Sequence, residues 1–352
     1  MKRVVVAMSG GVDSSVAAAL LKEQGHEVVG ITMCFSLPDA YRIKPACCGR
    51  QSIDDARRVA HKLGIKHYVL NFSKHLKDKV IDDFISEYLK ARTPNPCVRC
   101  NQYLKFGILL RKALSLDADF IATGHYARIT KSGAKYVLRK GKDRVKDQSY
   151  FLYQLAQDQL KHILFPLGNY TKQQVRNLAR KFGLPVADKP GSQEICFLPG
   201  DDYREFLMAH TSGKIKPGEI VDSRGRVLGK HEGIAFYTIG QREGLGIACG
   251  YPVYITKIDA KNNRITIGNK EEVHGEWFIV NNPHFIGSPI KKKIAAHVKI
   301  RYNHKETPVE IIPFGKKIKV ALKKPQFAVT PGQSAVFYNK DVVLGGGIIS
   351  LK

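Results

Sequence analysis

Residues 4–15 read VVVAMSGGVDSS: an apolar strand runs straight into Ser9-Gly10-Gly11-Val12-Asp13-Ser14-Ser15, and a helical pattern follows. A short Gly-rich turn between a buried strand and a helix presents successive backbone N–H groups at the positive end of the helix dipole, which makes a phosphate cradle. Gly10 and Gly11 suit such a turn because glycine accepts positive φ and lets a ligand oxygen approach the backbone, while Ser9, Ser14 and Ser15 add hydroxyls. No Lys-Ser/Thr pair closes the loop as in a Walker P-loop, and the spacing is not the GxGxxG of dinucleotide folds. An ordinary tight strand-to-helix turn is the plainer alternative. The Ser before the glycines and the Asp-Ser after them weigh against it.

The pattern downstream continues the theme. The spacing predicts a helix over 14–24 stopped by Gly25, a buried strand over 27–33, a helix opened by Ser52 and stopped by Gly64, and a strand over 66–70. Residues 120–123 read as a short strand that delivers Gly124-His125-Tyr126 at its carboxyl end, and Thr171 with Gln174 forms a capping box for a helix ended by Gly183 and Pro185. Strand alternating with helix implies an α/β domain with a doubly wound parallel sheet, whose ligands bind at the carboxyl ends of the strands. Near Gly200 the pattern changes to short β-type segments and Gly turns. The expected division is an α/β domain with the phosphate cradle over 1–200, a small β-rich domain over 201–275 and an antiparallel β-barrel over 276–352.

Charge narrows the partner. The 352 residues hold 57 Lys plus Arg against 31 Asp plus Glu, a formal net charge of +26, which points to a polyanion such as nucleic acid. Residues 276–352 alone carry 13 Lys plus Arg and 4 Asp plus Glu. A Lys-rich solvated surface is the alternative. Neither a secretory signal nor a membrane-spanning apolar run is visible, so a cytoplasmic location is expected. The seven cysteines, Cys34, Cys47, Cys48, Cys97, Cys100, Cys196 and Cys249, are then expected to be reduced and available for chemistry.

The loop resembles the pyrophosphate (PP) loop of the ATP pyrophosphatase superfamily, whose members cleave ATP between the α and β phosphates and transfer AMP to a carbonyl oxygen. Further segments extend the likeness: Ala46-Cys47-Cys48-Gly49, then Asp54-Asp55-Ala56-Arg57-Arg58-Val59-Ala60, residues 93–101, residues 122–128, Lys146-Asp147-Gln148-Ser149-Tyr150-Phe151-Leu152, Glu194-Ile195-Cys196-Phe197 and Thr330-Pro331-Gly332-Gln333. In this order, over essentially the whole chain, they resemble the tRNA-specific 2-thiouridylases. These enzymes replace the 2-oxygen of the wobble uridine, position 34 of tRNA, by sulfur.

That resemblance implies that Ala7, Met8, Ser9, Gly10, Gly11, Val12, Asp13, Ser14, Met33 and Gly124 surround ATP. Mg²⁺ is expected with the nucleotide, near Asp13, which has a helix-capping role as its alternative. It also implies Cys100 as nucleophile and Cys196 as persulfide carrier, loaded by a sulfur-donor protein. Arg99 and Lys105, with a helix start at Cys100, are expected to favour the Cys100 thiolate. RNA contacts are implied for Asn95, Pro96, Cys97, His125, Lys146, Asp147, Gln148 and Gln333. Arg301-Tyr302 pairs a phosphate-binding guanidinium with a ring able to stack on a base. A structural role is the alternative for each of these.

Three other readings stand beside this one. An amide-forming PP-loop synthetase would need the same cradle but has no use for Cys100 and Cys196. A non-catalytic RNA-binding protein could hold zinc at Cys97-x-x-Cys100, though no second half-site follows. In the third, the same thiolation runs through a [4Fe–4S] cluster on Cys97, Cys100 and Cys196, against a relay in which Cys97 is a bystander. Many members of the resembled family carry Asp at the position of Cys97, so a general acid-base role there is in doubt for this chain.

Overall fold

The computed structural model describes residues 1–35, 50–191, 195–198 and 202–351. Cys47, Cys48, Gly49 and Glu194 lie outside the described residues. The chain forms two compact units, one of Met1–Val80, Cys97–Asp202 and Asp341–Leu344, the other of Ile81–Pro96, Tyr203–Lys340 and Gly345–Lys352.

The first unit is built on strands β1 (Arg3–Ala7), β2 (Glu27–Cys34), β3 (Lys66–Asn71), β4 (Phe120–Ala122), the hairpin β5 (Ala127–Ser132) and β6 (Lys135–Lys140), and β7 (Ile163–Leu164). Strands β3-β2-β1-β4-β7 form one sheet in that order, each pair parallel. The expected doubly wound α/β domain is therefore present. Helix α1 (Val12–Glu23) buries Val16 through Leu21, and α2 (Arg50–Leu63) buries Ala56, Val59 and Ala60. Both join Val4 and Val6 of β1 and Met8 just beyond it, with Val175 and Ala179, in one apolar cluster. Burying each Val or Leu there stabilises the fold by roughly 1.5–3 kcal/mol. The Thr171 box forms as expected: its side chain accepts from Gln174 N at 3.3 Å, and Gln174 Oε1 accepts from Thr171 N at 2.9 Å.

Strand order decides where a ligand can sit. From β1 the chain winds outward to β2 and β3, then returns to place β4 on the other side of β1, so the order reverses between β1 and β4. At such a switch point the connections leave in opposite directions and open a crevice at the carboxyl ends of the two strands. Those ends are Ala7 and Ala122, followed directly by the SGG turn and by Thr123-Gly124-His125.

The second unit carries β8 (Gly218–Val221), β9 (Val227–His231), β10 (Tyr254–Asp259) and β11 (Arg264–Gly268) in a sheet ordered β10-β11-β8-β9. Strands β10 and β11 pair antiparallel as a hairpin. Next come β12 (His274–Phe285), β13 (Ile294–Lys299), β14 (Thr307–Phe314), β15 (Lys317–Phe327), β16 (Ser334–Asn339) and β17 (Val342–Ser350). They run in the order β12-β15-β14-β13-β16-β17, and β12 also pairs with β17, which closes the barrel. Closure removes the free strand edges that would otherwise template aggregation. In the same unit Tyr88 stacks on Tyr203 at 5.0 Å between centroids, and Phe84 meets Phe206 edge-on at 6.1 Å.

Candidate active site

At the crevice, Gly10 takes φ +71°, and a Cβ there would stand 2.1 Å from the Ser52 carbonyl oxygen. Only glycine fits both demands. Ser9 N donates to Ser14 Oγ at 3.1 Å, and Ser14 Oγ and Ser15 Oγ donate to the Gly11 carbonyl at 3.1 and 2.9 Å. The serine hydroxyls thus shape the turn, which leaves the first N–H groups of α1 to serve an anion. Gly124 closes the other wall: a Cβ on it would lie 2.7 Å from Asp13 C and 2.7 Å from Ser14 N. Met33 sits half-buried near the end of β2. Gly124→Ala is expected to push the α1 terminus out of place and weaken ATP binding at least tenfold with tRNA affinity unchanged. Isothermal titration with each ligand checks this.

Asp13 does not cap α1. The cap position is Gly11, with no side-chain hydrogen bond, so the capping role is set aside. Its carboxylate is held by Lys172 Nζ at 2.7 Å to each oxygen and by the Tyr126 hydroxyl at 2.7 Å. Burial, then the Asp13 charge, pushes the Tyr126 hydroxyl far above its ordinary range, so it stays a donor. A second ion cluster flanks Gly10: Lys189 Nζ donates to the Gly10 carbonyl at 3.2 Å and to the buried Asp55 at 2.6 Å, and Arg58 also pairs with Asp55. Burial alone would raise the Asp55 carboxyl, but the hydrogen bonds from Lys189 and Arg58 outweigh it and hold the group below the usual carboxylate range. These groups border a pocket of about 350 Å³ lined by Gln51, Asp55, Arg58 and residues 184–189. Two lysines beside a cradle of N–H groups, with glycines where a Cβ would collide, fit a nucleoside triphosphate.

The cysteines correct one expectation. Cys100 is not at a helix start: an α-turn over Pro96–Arg99 precedes it, and Cys100–Leu109 continues as a π-helix. Its thiol is buried, and burial pushes its pKa up despite the opposing charge of Lys105. Cys97 is exposed, and desolvation first and Cys100 second push its thiol up to about 11. Cys196 is exposed. Among the described residues no three His, Cys, Asp or Glu side chains gather as a metal site. Cys97, Cys100 and Cys196 are thus not gathered as one such group.

Several candidate RNA residues prove to have internal work. Asp147 is buried and accepts from Gly141 N at 2.9 Å and from Ser149 N and Oγ at 3.2 and 2.9 Å. Gln148 Oε1 accepts from Tyr126 N, whereas Lys146 is exposed. His125 is buried, hydrogen-bonded at Nδ1 to Thr123 Oγ1 at 2.7 Å, and burial holds its imidazole neutral, well below the ordinary range. Arg301 donates to Ile239 O and Thr330 Oγ1, which turns its guanidinium inward, and Tyr302 packs near Lys299. Gln333 Nε2 donates to the carbonyls of Thr93 and Pro94 at 3.0 and 3.3 Å, directly before half-buried Asn95 and buried Pro96.

Lys172, Tyr126, Asp55, Arg58 and Lys189 escaped sequence reasoning as site residues. Tyr126, Asp55 and Arg58 lie inside segments that carried the resemblance. Lys172 gave only the signal of a capping box, which says nothing of where its ammonium reaches.

Comparison with known proteins places the chain. Residues 2–200 match the tRNA methyl transferase HUP domain model, 204–269 the tRNA methyl transferase PRC-barrel domain and 276–349 the aminomethyltransferase beta-barrel domain. The chain is 52% identical over 357 residues to tRNA-specific 2-thiouridylase MnmA 2 of Caldanaerobacter subterraneus subsp. tengcongensis, covering 99% of this chain and 98% of that one. It is 53% identical over 356 residues to tRNA-specific 2-thiouridylase MnmA of Halothermothrix orenii, covering 99% of each. Among solved structures, a 4-thiouridine synthetase–RNA complex with bound ATP aligns at 14% identity and a TM-score of 0.35, over 60% of this chain and 51% of that one, a likeness too slight to build on. With identity above one half maintained from end to end, the chain belongs to the tRNA-specific 2-thiouridylase family.

Proposed function

We propose that this protein catalyses ATP-dependent 2-thiolation of the wobble uridine of tRNA, giving 2-thiouridine, AMP and pyrophosphate. The observation that carries the reading is the cradle at the β1/β4 switch point, where Gly10 and Gly124 admit no side chain, in a chain of this family. The uracil C2 oxygen is a poor leaving group, and its conversion to an AMP ester makes it a good one. In the first step that oxygen attacks the α-phosphorus of ATP and pyrophosphate leaves. The α1 N-terminus, Lys172 and Lys189 are the groups that stabilise the departing charge, and Asp13 is the residue that would hold Mg²⁺, which supplies further neutralisation when bound.

In the second step the outer sulfur of a Cys196 persulfide attacks C2 and AMP departs. The Cys100 thiolate then attacks the Cys196 sulfur, the S–S bond to the transferred sulfur breaks, and its electron pair stays with the 2-thiouridine. The Cys100–Cys196 disulfide that results is returned to two thiols by an external thiol reductant, and a sulfur-donor protein reloads Cys196. Cys97 takes no covalent part. The three-part division at about 200 and 275 belongs to the same proposal, with the barrel as a tRNA-binding part and the cytoplasm as the location. Among the described residues no helix is long and apolar enough to cross a membrane.

The test mixes protein already charged with the Cys196 persulfide, ATP, Mg²⁺ and unmodified tRNA in a single turnover. Pyrophosphate together with a sulfur-for-oxygen mass gain in an anticodon fragment is the expected result. Pyrophosphate without that gain, or neither, refutes the reading.

A further inference from the structure

The chain has a single tryptophan, and it is not in a core: Trp277, on the outer face of β12, is 48% exposed. An indole left in water forgoes one of the larger burial energies available to any side chain, so its surroundings matter. Lys319 on the neighbouring strand β15 places its ammonium 5.1 Å from the ring centroid. Register fixes the rest of the patch. Trp277 lies opposite Ala321, Lys319 lies opposite Ile312, and Lys317 lies opposite Phe314, itself 59% exposed. Lys317, Lys319 and Ala321 alternate outward along β15, so the two exposed rings bracket a pair of lysines on one barrel face. At about 3.3 Å per residue the stripe spans roughly 13 Å, the length of two or so unpaired nucleotides. Glu310, opposite Ala321, is paired with Lys293 and Lys323 at 3.3 and 3.1 Å, which offsets its negative charge, while Glu276 precedes Trp277 on β12.

We propose that this face of the barrel is a stacking platform for unpaired nucleotides of the tRNA, with a base on Trp277 and phosphates on Lys319 and Lys317. The proposal rests on the tRNA-modifying reading above. Charge complementarity chooses the occupant: residues 276–352 carry 13 Lys plus Arg against 4 Asp plus Glu, and rings interleaved with cations match the stacked bases and flanking phosphates of single-stranded RNA. The site differs from Arg301-Tyr302, whose guanidinium is engaged inside the protein.

Because Trp277 is the sole indole, its fluorescence reports this face directly in the full-length protein. Unmodified tRNA is expected to quench it saturably, and a fully paired RNA duplex or heparin to quench it far less. Trp277→Ala should weaken tRNA binding about tenfold, in line with base–aromatic stacking, and Trp277→Phe should recover most of the loss. Lys319→Ala should weaken binding less and reduce its salt dependence. KM for tRNA rises accordingly while kcat at saturating tRNA holds. If wild type binds tRNA and thiolates it, yet the fluorescence is silent and Trp277→Ala binds normally, the platform is wrong and the functional reading survives. Equal quenching by heparin, or a change of oligomeric state in Trp277→Ala with tRNA affinity intact, also overturns the platform. A wild type that binds no tRNA overturns both.

Discussion

Asp13→Asn lowers ATP-dependent pyrophosphate release by a factor of about 10²–10³, the usual cost of removing one preorganised charge from a phosphoryl-transfer site. The substitution keeps the shape of the side chain, so the Tyr126 hydroxyl retains an acceptor, but the charge that Lys172 meets at 2.7 Å from both oxygens is gone. Lys172→Met should fall comparably from the opposite side, since it removes a cation from the same crevice and leaves Asp13 uncompensated. The double substitution should lose much less than the product of the two single losses, because both act on one interaction. Affinity for tRNA and persulfide loading on Cys196 should be unaffected by all three. Pyrophosphate release assayed beside a tRNA-binding measurement decides the matter: near-normal release by Asp13→Asn would show that the crevice is not where ATP is cleaved.

Sulfur release should accelerate with pH, by about tenfold per unit through the neutral range, in a single turnover started from enzyme already charged with persulfide. The reason is Cys100. Burial raises its pKa above that of an ordinary thiol, so the reactive thiolate is a minor species near neutrality and its fraction grows with each proton removed. The sign follows from that direction: a depressed pKa would give a flat profile over the same range. Lys105 works against burial, so Lys105→Met should reduce the rate further and move the rising limb to higher pH. Cys100→Ser and Cys196→Ser should abolish thiolation while leaving pyrophosphate release, and Cys97→Ser should keep substantial activity. Loss of activity in all three, with turnover that tracks bound iron, would sink the relay.

The parts of this molecule that a sequence reveals are those set by near neighbours along the chain. The Thr171–Gln174 box, the glycine stops at Gly25, Gly64 and Gly183, and the strand-turn-helix at Ser9 are local, and all take the expected form, the three glycines at φ +80°, +59° and +61°. Short β-type segments after Gly200 also announced the barrel as a whole. The hairpin of β5 and β6 and the long strand β12 passed unnoticed, because Ser132-Gly133 and the polar Asn281-Asn282-Pro283 interrupt their alternation. What fails without coordinates is chemistry across distance. Lys172 lies 159 residues from Asp13, and Lys189 lies 134 from Asp55. Likewise the thiol of Cys100 follows the density of protein around it and not the basic residues beside it in sequence, so the local reading gave the wrong direction.

The bond from Lys189 to the Gly10 carbonyl has a consequence for timing. Cys196 follows Lys189 by seven residues, and seven residues of even fully stretched chain reach about 25 Å. On the proposed relay, Cys196 stays within that distance of the Gly10 turn for as long as Lys189 is bonded there. The relay would then run with the Cys196 sulfur at a high effective concentration beside the activated base, independent of how much enzyme a cell contains.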